Sequence, residues 1–167
     1  MSGLLAEELL KKLPDVPAAL RELVVGGAEG NPFYMEELVK LLIDQGSITT
    51  GKAWAVNAER LLFTKIPQTL TGVLQARLDS LPAPERWTLQ QASVIGPVFW
   101  DRALIALDMK AHDTLPALVR RELALPRAGS NDDDLREYAF KHQILHQVTY
   151  ETVLKRTRRE LHGKLAR

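Results

Sequence analysis

One string in the sequence matches most of a phosphate-binding loop. Residues 46–52 spell GxxxxGK, the pattern whose backbone amides and lysine hold nucleotide phosphates. The next position requires a hydroxyl group for magnesium, and Ala53 has none. A phosphate loop also follows a strand and opens a helix, whereas this string follows a predicted helix and precedes Trp54. We therefore predict a small β-hairpin at residues 47–56 and assign no catalytic residue to the string.

Two histidines are spaced as metal ligands would be on one helix face. His142 and His146 are four positions apart, but no glutamate lies between them and no third ligand is evident. The run Asp132–Asp134 lacks the alternating ligands and distal glutamate of a calcium loop, so we interpret it as a solvated turn. The absence of cysteine excludes thiolate zinc sites and disulfides. We predict no metal site.

The composition is typical of a soluble globular protein. Of the 167 residues, 46% are hydrophobic and 26% are charged, which argues against disorder. The net charge of +1 provides no bulk attraction to nucleic acid or to an anionic membrane. No apolar run reaches the roughly 20 residues of a membrane helix, and an N-terminus with Glu7 and Glu8 is unlike a signal peptide. We expect a cytoplasmic protein with no membrane partner.

The charges are unevenly distributed along the chain. Residues 1–45 contain eight acids and four bases, whereas residues 141–167 contain seven bases and two acids. We interpret the basic end, with its run Lys155–Arg159, as a contact for an acidic partner. Either another domain or residues 1–45 of this chain would supply the acids.

The elements that must position these residues are mostly helices, so the predicted fold class is mainly α with a small β component. Amphipathic helices are predicted at residues 4–12 and 17–25, and a third begins near Asn31–Pro32. Its buried stripe is Tyr34, Leu38, Leu41 and Leu42. Glu36 and Glu37 are interpreted as a solvated pair near the helix N-terminus. Residues 57–68 are predicted as a connector.

A second series of helices follows from Thr69. Leu70, Val73, Leu74 and Leu78 have helical spacing, and further helices are predicted at residues 85–95, 101–107 and 115–123. Strands are then predicted at residues 124–127 and 138–140, and the chain is helical from Lys141 to its end. Short helices followed by a hairpin are the order of a winged helix.

Several motifs resemble those of one family of signalling ATPases. Residues 28–38, AEGNPFYMEEL, resemble the signature beginning GNPF and ending EL in the STAND class, which is related to AAA+ proteins. The similarity extends to the ATPase module of LuxR-type regulators and of class III adenylate/guanylate cyclases. Further matching segments, which bring the resemblance to about residues 25–163, are Ile66–Leu70, Gln75–Leu81, Leu89–Gly96, Phe99, Tyr138–His142 and Tyr150–Glu151.

The resemblance implies a place within a longer protein. It implies a helical AAA+-type lid at residues 1–68, with the small hairpin, and a winged-helix-like domain at residues 69–167 with a C-terminal helix. A phosphate-loop ATPase domain would precede them and hold ATP or ADP, so no cofactor is expected for this chain alone. The chain would then be no enzyme but a regulatory part of an ATPase-type switch. The output domain, a cyclase or a DNA reader, stays open.

The resemblance also assigns a partial nucleotide site to Asn31, Pro32 and His142. In the family the proline packs near adenine, although a cap at Asn31 and a first helical position at Pro32 explain both residues without a ligand. His142 resembles a histidine that contacts the ADP phosphate in related switch ATPases. The aspartate that follows that histidine is replaced here by Gln143. A histidine that only packs at the helix start is the alternative.

The alternative function is a DNA-binding winged helix. Arg120–Arg121 and the basic run at residues 155–159 favour it. The triple aspartate at residues 132–134 opposes it, because phosphates would repel an acidic wing. Nucleic acid is therefore not the expected partner.

Overall fold

The computed structural model describes residues 11, 31–51, 54–63, 65–128 and 135–166. Within them the fold is mainly α-helical with two small antiparallel sheets, which confirms the predicted fold class. The described residues form two compact units that divide between Ser80 and Leu81. The two helices predicted before residue 31, apart from Lys11, and the acidic run at residues 132–134 lie outside the described residues. Within that described part, no helix has the length and apolar character needed to cross a membrane.

The first unit contains helices and one hairpin. Its elements are α1 (Pro32–Asp44), β1 (Ile48–Thr49), β2 (Ala55–Val56), α2 (Ala58–Phe63) and α3 (Leu70–Ser80). Ile48 lies opposite Val56 in an antiparallel pair, which confirms the predicted hairpin. The prediction of a connector at residues 57–68 is wrong where α2 forms. Asn57 caps this helix, since its side-chain oxygen accepts a hydrogen bond from the Arg60 amide at 3.1 Å.

The core of the first unit lies between α1 and α3. The predicted stripe of Tyr34, Leu38, Leu41 and Leu42 is buried, with each side chain at most 2% exposed. These residues pack with Val73 of α3 and with Ile48 of the hairpin. The 3.6-residue period of apolar residues therefore identifies the buried face of α1 correctly.

Charged side chains also join α1 to α3 inside this core. Arg77 and Glu37 are each 1% exposed, and the Arg77 Nη1 donates to a Glu37 carboxylate oxygen at 2.6 Å. The Arg77 Nε donates to Asp44 at 3.3 Å. Glu36 is partly exposed and pairs with Lys40 at 3.0 Å. The interpretation of Glu36 and Glu37 as a solvated pair is therefore wrong for Glu37.

The burial of Glu37 follows from its place on the helix. It lies three positions after Tyr34 and four before Leu41, so all three side chains project from the same side of α1. An ionised carboxylate at a buried position is costly unless a cation and hydrogen bonds satisfy it. Arg77 supplies both, because its fork of N–H groups reaches two carboxylates at once.

The second unit combines helices with a three-stranded sheet. Its elements are α4 (Ala83–Ile95), β3 (Val98–Trp100), α5 (Asp101–Leu107), α6 (Ala111–Arg120), β4 (Ala124–Arg127), β5 (Glu137–Phe140), α7 (Gln143–Thr152) and α8 (Lys155–Leu165). The strand order is β3-β5-β4, and both pairs are antiparallel. Phe99 and Phe140 pack edge to face on the inner side of this sheet, with ring centroids 5.8 Å apart.

The structure corrects the sequence-based assignment of elements in this unit at several points. β3 was not predicted, because its pairing with β5 joins Val98 to Ala139 across a long stretch of sequence. α6 begins at Ala111 rather than at residue 115, after a turn in which Asp108 accepts a hydrogen bond from the Lys110 amide at 3.0 Å. The predicted continuous helix from Lys141 is interrupted at residues 153–154, between α7 and α8.

Helix α4 is the centre of the second unit and packs against α5, α6, α7 and α8. Leu89 and Ala92 of this helix are fully buried. Val94 packs with Val153 and with Leu161 of α8 in a separate apolar cluster. The C-terminal half of the chain is thus organised around one helix.

The division between the units lies one helix later than the predicted boundary between residues 68 and 69. α3 packs against α1 and contributes Arg77 to its ion pairs, so it belongs to the first unit. Spacing alone could not assign α3 to either side, because its apolar stripe shows that the helix is buried but not what covers it.

We predict that Arg77→Met destabilises the protein by about 3–5 kcal/mol, because it leaves buried carboxylates without their cation. Glu37→Met combined with Arg77→Met should cost much less than the sum of the two single changes. Urea unfolding of both single variants and of the double variant would measure this coupling. Additive costs would contradict the view that the pair acts as a unit.

Candidate functional site

The start of α1 carries two of the three residues that the resemblance assigns to nucleotide. The Asn31 side-chain oxygen accepts a hydrogen bond from the Phe33 amide at 3.0 Å. The helix begins at Pro32. The helix-start roles predicted for Asn31 and Pro32 are therefore confirmed. A nucleotide contact by either residue stays a prediction.

Tyr34 fixes this helix start against the segment that leads into α3. Its hydroxyl donates a hydrogen bond to the carbonyl oxygen of Pro67 at 2.7 Å. Burial raises the pKa of the Tyr34 phenol above its ordinary value of 10.0, because the phenolate would lose its hydration. The residues of the family motif around position 31 are thus held by the core of the first unit.

The string at residues 46–52 forms the end of a helix and part of a hairpin. The Ser47 amide donates to Leu42 at 2.9 Å and the Gly46 amide donates to Ile43 at 3.0 Å. These are the two hydrogen bonds of a Schellman motif, and Gly46 has the positive φ of +79° that the motif requires. The first glycine of GxxxxGK therefore ends α1. Lys52 and Ala53 lie outside the described residues.

His142 lies at the junction between β5 and α7 and is half-buried. It is the N-cap residue of α7, and its backbone is extended with φ −135°. Two hydrogen bonds fix the preceding residues: the Phe140 amide donates to Pro97 at 2.9 Å, and the Lys141 amide donates to Leu123 at 3.1 Å. His142 belongs to the second unit, whereas the two residues at the start of α1 belong to the first.

His146 is not positioned as a partner of His142 in a metal site. Its Nε2 lies 2.9 Å from the Ser93 carbonyl oxygen, to which it can only donate. Its ring meets Phe140 edge to face with centroids 5.1 Å apart and is stacked near Tyr150. His146 therefore ties α7 to α4. Among the described residues, no group of three or more histidine, aspartate or glutamate side chains is placed to hold a metal ion.

A shallow cleft of about 650 Å³ opens on the first unit. Within its lining, the Arg60 side chain donates to the Gln45 carbonyl oxygen at 3.0 Å. Its lining residues are Gln45, Ser47, Asn57, Glu59, Arg60, Phe63 and Lys65. The lining carries two cations and one acid, and it contains neither Asn31 nor Pro32.

Two of the cations that favoured DNA binding are engaged within the fold. Arg121 donates to a carboxylate oxygen of Glu85 at 3.0 Å and so joins the end of α6 to α4. Arg158 lies over the Tyr150 ring, 4.1 Å from its centroid, and donates to the carbonyl oxygen of the same residue at 2.7 Å. Arg120 remains exposed.

No protein-family model matches the chain, and no curated protein sequence matches it. Its function must therefore be inferred from its residues and their geometry.

Glu37 and Arg77 are the pair that the sequence analysis missed. The sequence did contain a signal for Glu37. This acid lies inside the apolar stripe of α1, and a solvent-exposed position does not explain why it is there. Both residues lie within motifs that carry the resemblance.

We predict that Tyr34→Phe lowers the stability by about 0.5–1.5 kcal/mol at neutral pH, because the Pro67 carbonyl loses its donor. Since the folded-state pKa of Tyr34 is raised, its contribution to stability is complete below pH 10.0 and is lost as the pH rises through that folded-state value. The stability difference between wild type and variant should therefore shrink above about pH 10. Urea unfolding over this pH range would test it, and a constant difference would contradict it.

The two glycines of the GxxxxGK string should differ in their tolerance of alanine. A Cβ at Gly46 would lie 2.6 Å from the Arg60 Nη1 on a backbone of positive φ, so Gly46→Ala should cost about 1–2 kcal/mol. A Cβ at Gly51 would meet no atom within 4 Å, so Gly51→Ala should change the stability by less than about 0.5 kcal/mol. Thermal unfolding of both variants makes the comparison. A larger loss at Gly51 would contradict the helix-end and hairpin assignment.

Proposed function

We propose that this chain is a non-catalytic regulatory module of a STAND-class signalling ATPase. It closes over ADP or ATP that a phosphate-loop domain holds, and its movement relays the nucleotide state to other domains. The proposed partners are that phosphate-loop domain and the other domains of the same polypeptide, in the cytoplasm. Asn31, Pro32 and His142 are the proposed partial nucleotide site.

The observation that carries the proposal is the meeting of two motifs in the first unit. Glu37 comes from the segment that resembles the lid signature, and Arg77 comes from the matching segment Gln75–Leu81. The buried hydrogen bond of 2.6 Å between Arg77 and Glu37 holds these two segments together.

The second unit supports the same proposal through its connectivity. A helix, a strand, two helices and a hairpin follow in that order, with the first strand beside the last. This order agrees with the winged helix that the resemblance implies after the lid. The helix-end geometry of Gly46 supports a non-catalytic module, because the string with the letters of a phosphate loop has another purpose.

The connectivity by itself also suits the alternative, a DNA-binding winged helix. The exposed side of α6 weighs against it, because it presents Asp113 together with Arg120, and Arg121 is held by Glu85. A recognition helix with one available arginine and an exposed carboxylate offers little to a phosphate backbone. We therefore favour the regulatory module.

The test is nucleotide retention in a polypeptide that joins this chain to its phosphate-loop domain. His142→Ala should remove one hydrogen bond to a phosphate, a contribution of about 1.5–3 kcal/mol when charge-assisted, so ADP should dissociate roughly ten- to a hundredfold faster. Pro32→Ala should also accelerate release, because adenine loses an apolar contact. His112→Ala is the matched control, since this exposed histidine of α6 lies outside the proposed site.

Stopped-flow measurement of fluorescent ADP release gives the off-rates, and melting temperatures report on folding. Unchanged off-rates with lowered melting temperatures would show that His142 and Pro32 are only structural. This chain alone should hydrolyse no ATP, because a metal-bound phosphate loop is required to neutralise the transition state. A magnesium-dependent turnover that Lys52→Ala abolishes would contradict the proposal.

A further inference from the structure

The outer side of α8 is a cluster of exposed cations. Lys155, Arg156, Arg159 and Lys164 are all exposed, and the Arg156 side chain is 90% exposed. The acid of this helix, Glu160, pairs with Arg156 at 3.2 Å and offsets one charge. We refer to these four cations as the α8 basic face.

The face cannot turn inward, because the opposite side of α8 is part of the core. Leu161 is 2% exposed and packs with Val94 and Val153. Arg158, which the sequence grouped with the other cations, is held against Tyr150. The packing of this inner side therefore fixes which cations point into solvent.

The basic face is not explained by the stability of the helix. The first turn of α8 contains no acid, while Lys155 and Arg156 place positive charge at the positive end of the helix dipole. Lys155 and Arg159 are also like charges four positions apart, which repel each other. Negative charge on a partner would relieve both effects.

Leu154 identifies the chemical class of that partner. It is the N-cap residue of α8, forms no side-chain cap hydrogen bond, and is 74% exposed. A leucine at this position neither caps the helix nor packs in the core, whereas serine or aspartate would cap it. A phosphate backbone gives an exposed leucine no apolar contact. A protein segment with both acidic and apolar side chains matches the leucine and the cations together.

The acids that the structure describes within residues 1–45 are already paired. Glu37 and Asp44 are bound to Arg77, and Glu36 is bound to Lys40. Three of the eight acids that the sequence offered in residues 1–45 are therefore engaged within the first unit. The partner's acids must therefore come from elsewhere than these three residues.

We propose that Leu154 and the α8 basic face form a docking site for an acidic protein segment that carries an apolar side chain. This proposal goes beyond the function proposed above, because it does not depend on nucleotide binding.

A synthetic helical peptide tests the proposal directly. The probe carries glutamates spaced four positions apart beside a leucine, and fluorescence anisotropy measures its binding to the full chain. The variant Lys155→Gln, Arg156→Gln, Arg159→Gln should bind roughly tenfold more weakly, since three exposed charge contacts are lost. The matched control, Lys110→Gln, Arg120→Gln, Arg136→Gln, removes the same charges from exposed positions elsewhere in the second unit and should bind as the wild type does. Equal losses in both variants would overturn the proposal.

A second variant separates docking from folding. Leu154→Ser supplies a capping hydroxyl, so the melting temperature should be unchanged or raised. The same variant should bind the peptide a few-fold more weakly, because the apolar contact is lost. Unchanged peptide binding would overturn the role of Leu154.

A DNA duplex of about 20 base pairs, with its higher charge density, is the competing probe. Weaker binding of the duplex than of the peptide would support the proposal. The proposal would be overturned in favour of nucleic acid if the duplex bound more tightly than the peptide. In that case the triple glutamine variant of α8 should lose duplex binding, and Leu154→Ser should retain it.

Discussion

The buried contacts of Arg77 are the constraint on which the first unit depends. Removing an ion from water costs several kcal/mol, so this guanidinium is tolerated only where carboxylates meet it with good geometry. Glu37 and Asp44 meet it from positions two helical turns apart on α1. A shift of α1 by one turn along α3 would separate Arg77 from at least one of them, whereas the leucines around it would tolerate other registers. The ion pairs therefore select one packing of two helices that apolar contacts alone would leave less defined.

The start and the end of α1 are also fixed by contacts within the first unit. Its start is tied to the segment before α3 through Tyr34 and Pro67, and its end is closed by Gly46 in a Schellman motif. The string that resembles a phosphate loop lies where α1 must stop and the hairpin must begin. The positive φ at the end of α1 accounts for Gly46, the first glycine of that string.

In the second unit, several residues with chemically active side chains are used to hold helices together. His146 bonds to Ser93, Arg121 to Glu85, and Arg158 to Tyr150. Each of these contacts joins a different pair of chain segments around α4 or α7. The side chains of His146, Arg121 and Arg158 are therefore already engaged within the fold. The cations on the outer side of α8, by contrast, are exposed and lie beside an exposed leucine.

The sequence by itself determined the fold class, the buried stripe of α1, the hairpin, the helix-start roles of Asn31 and Pro32, and most helix positions. These features depend on periodicity, caps and turns, which act over a few neighbouring residues. Only the tertiary structure decided that Glu37 is buried, that β3 exists, and that α3 belongs to the first unit. Those outcomes depend on a partner distant in sequence: Arg77 for Glu37, and Ala139 for Val98. A local pattern shows that a side chain or strand needs a partner, but the choice among distant partners is made by the packing of the whole unit.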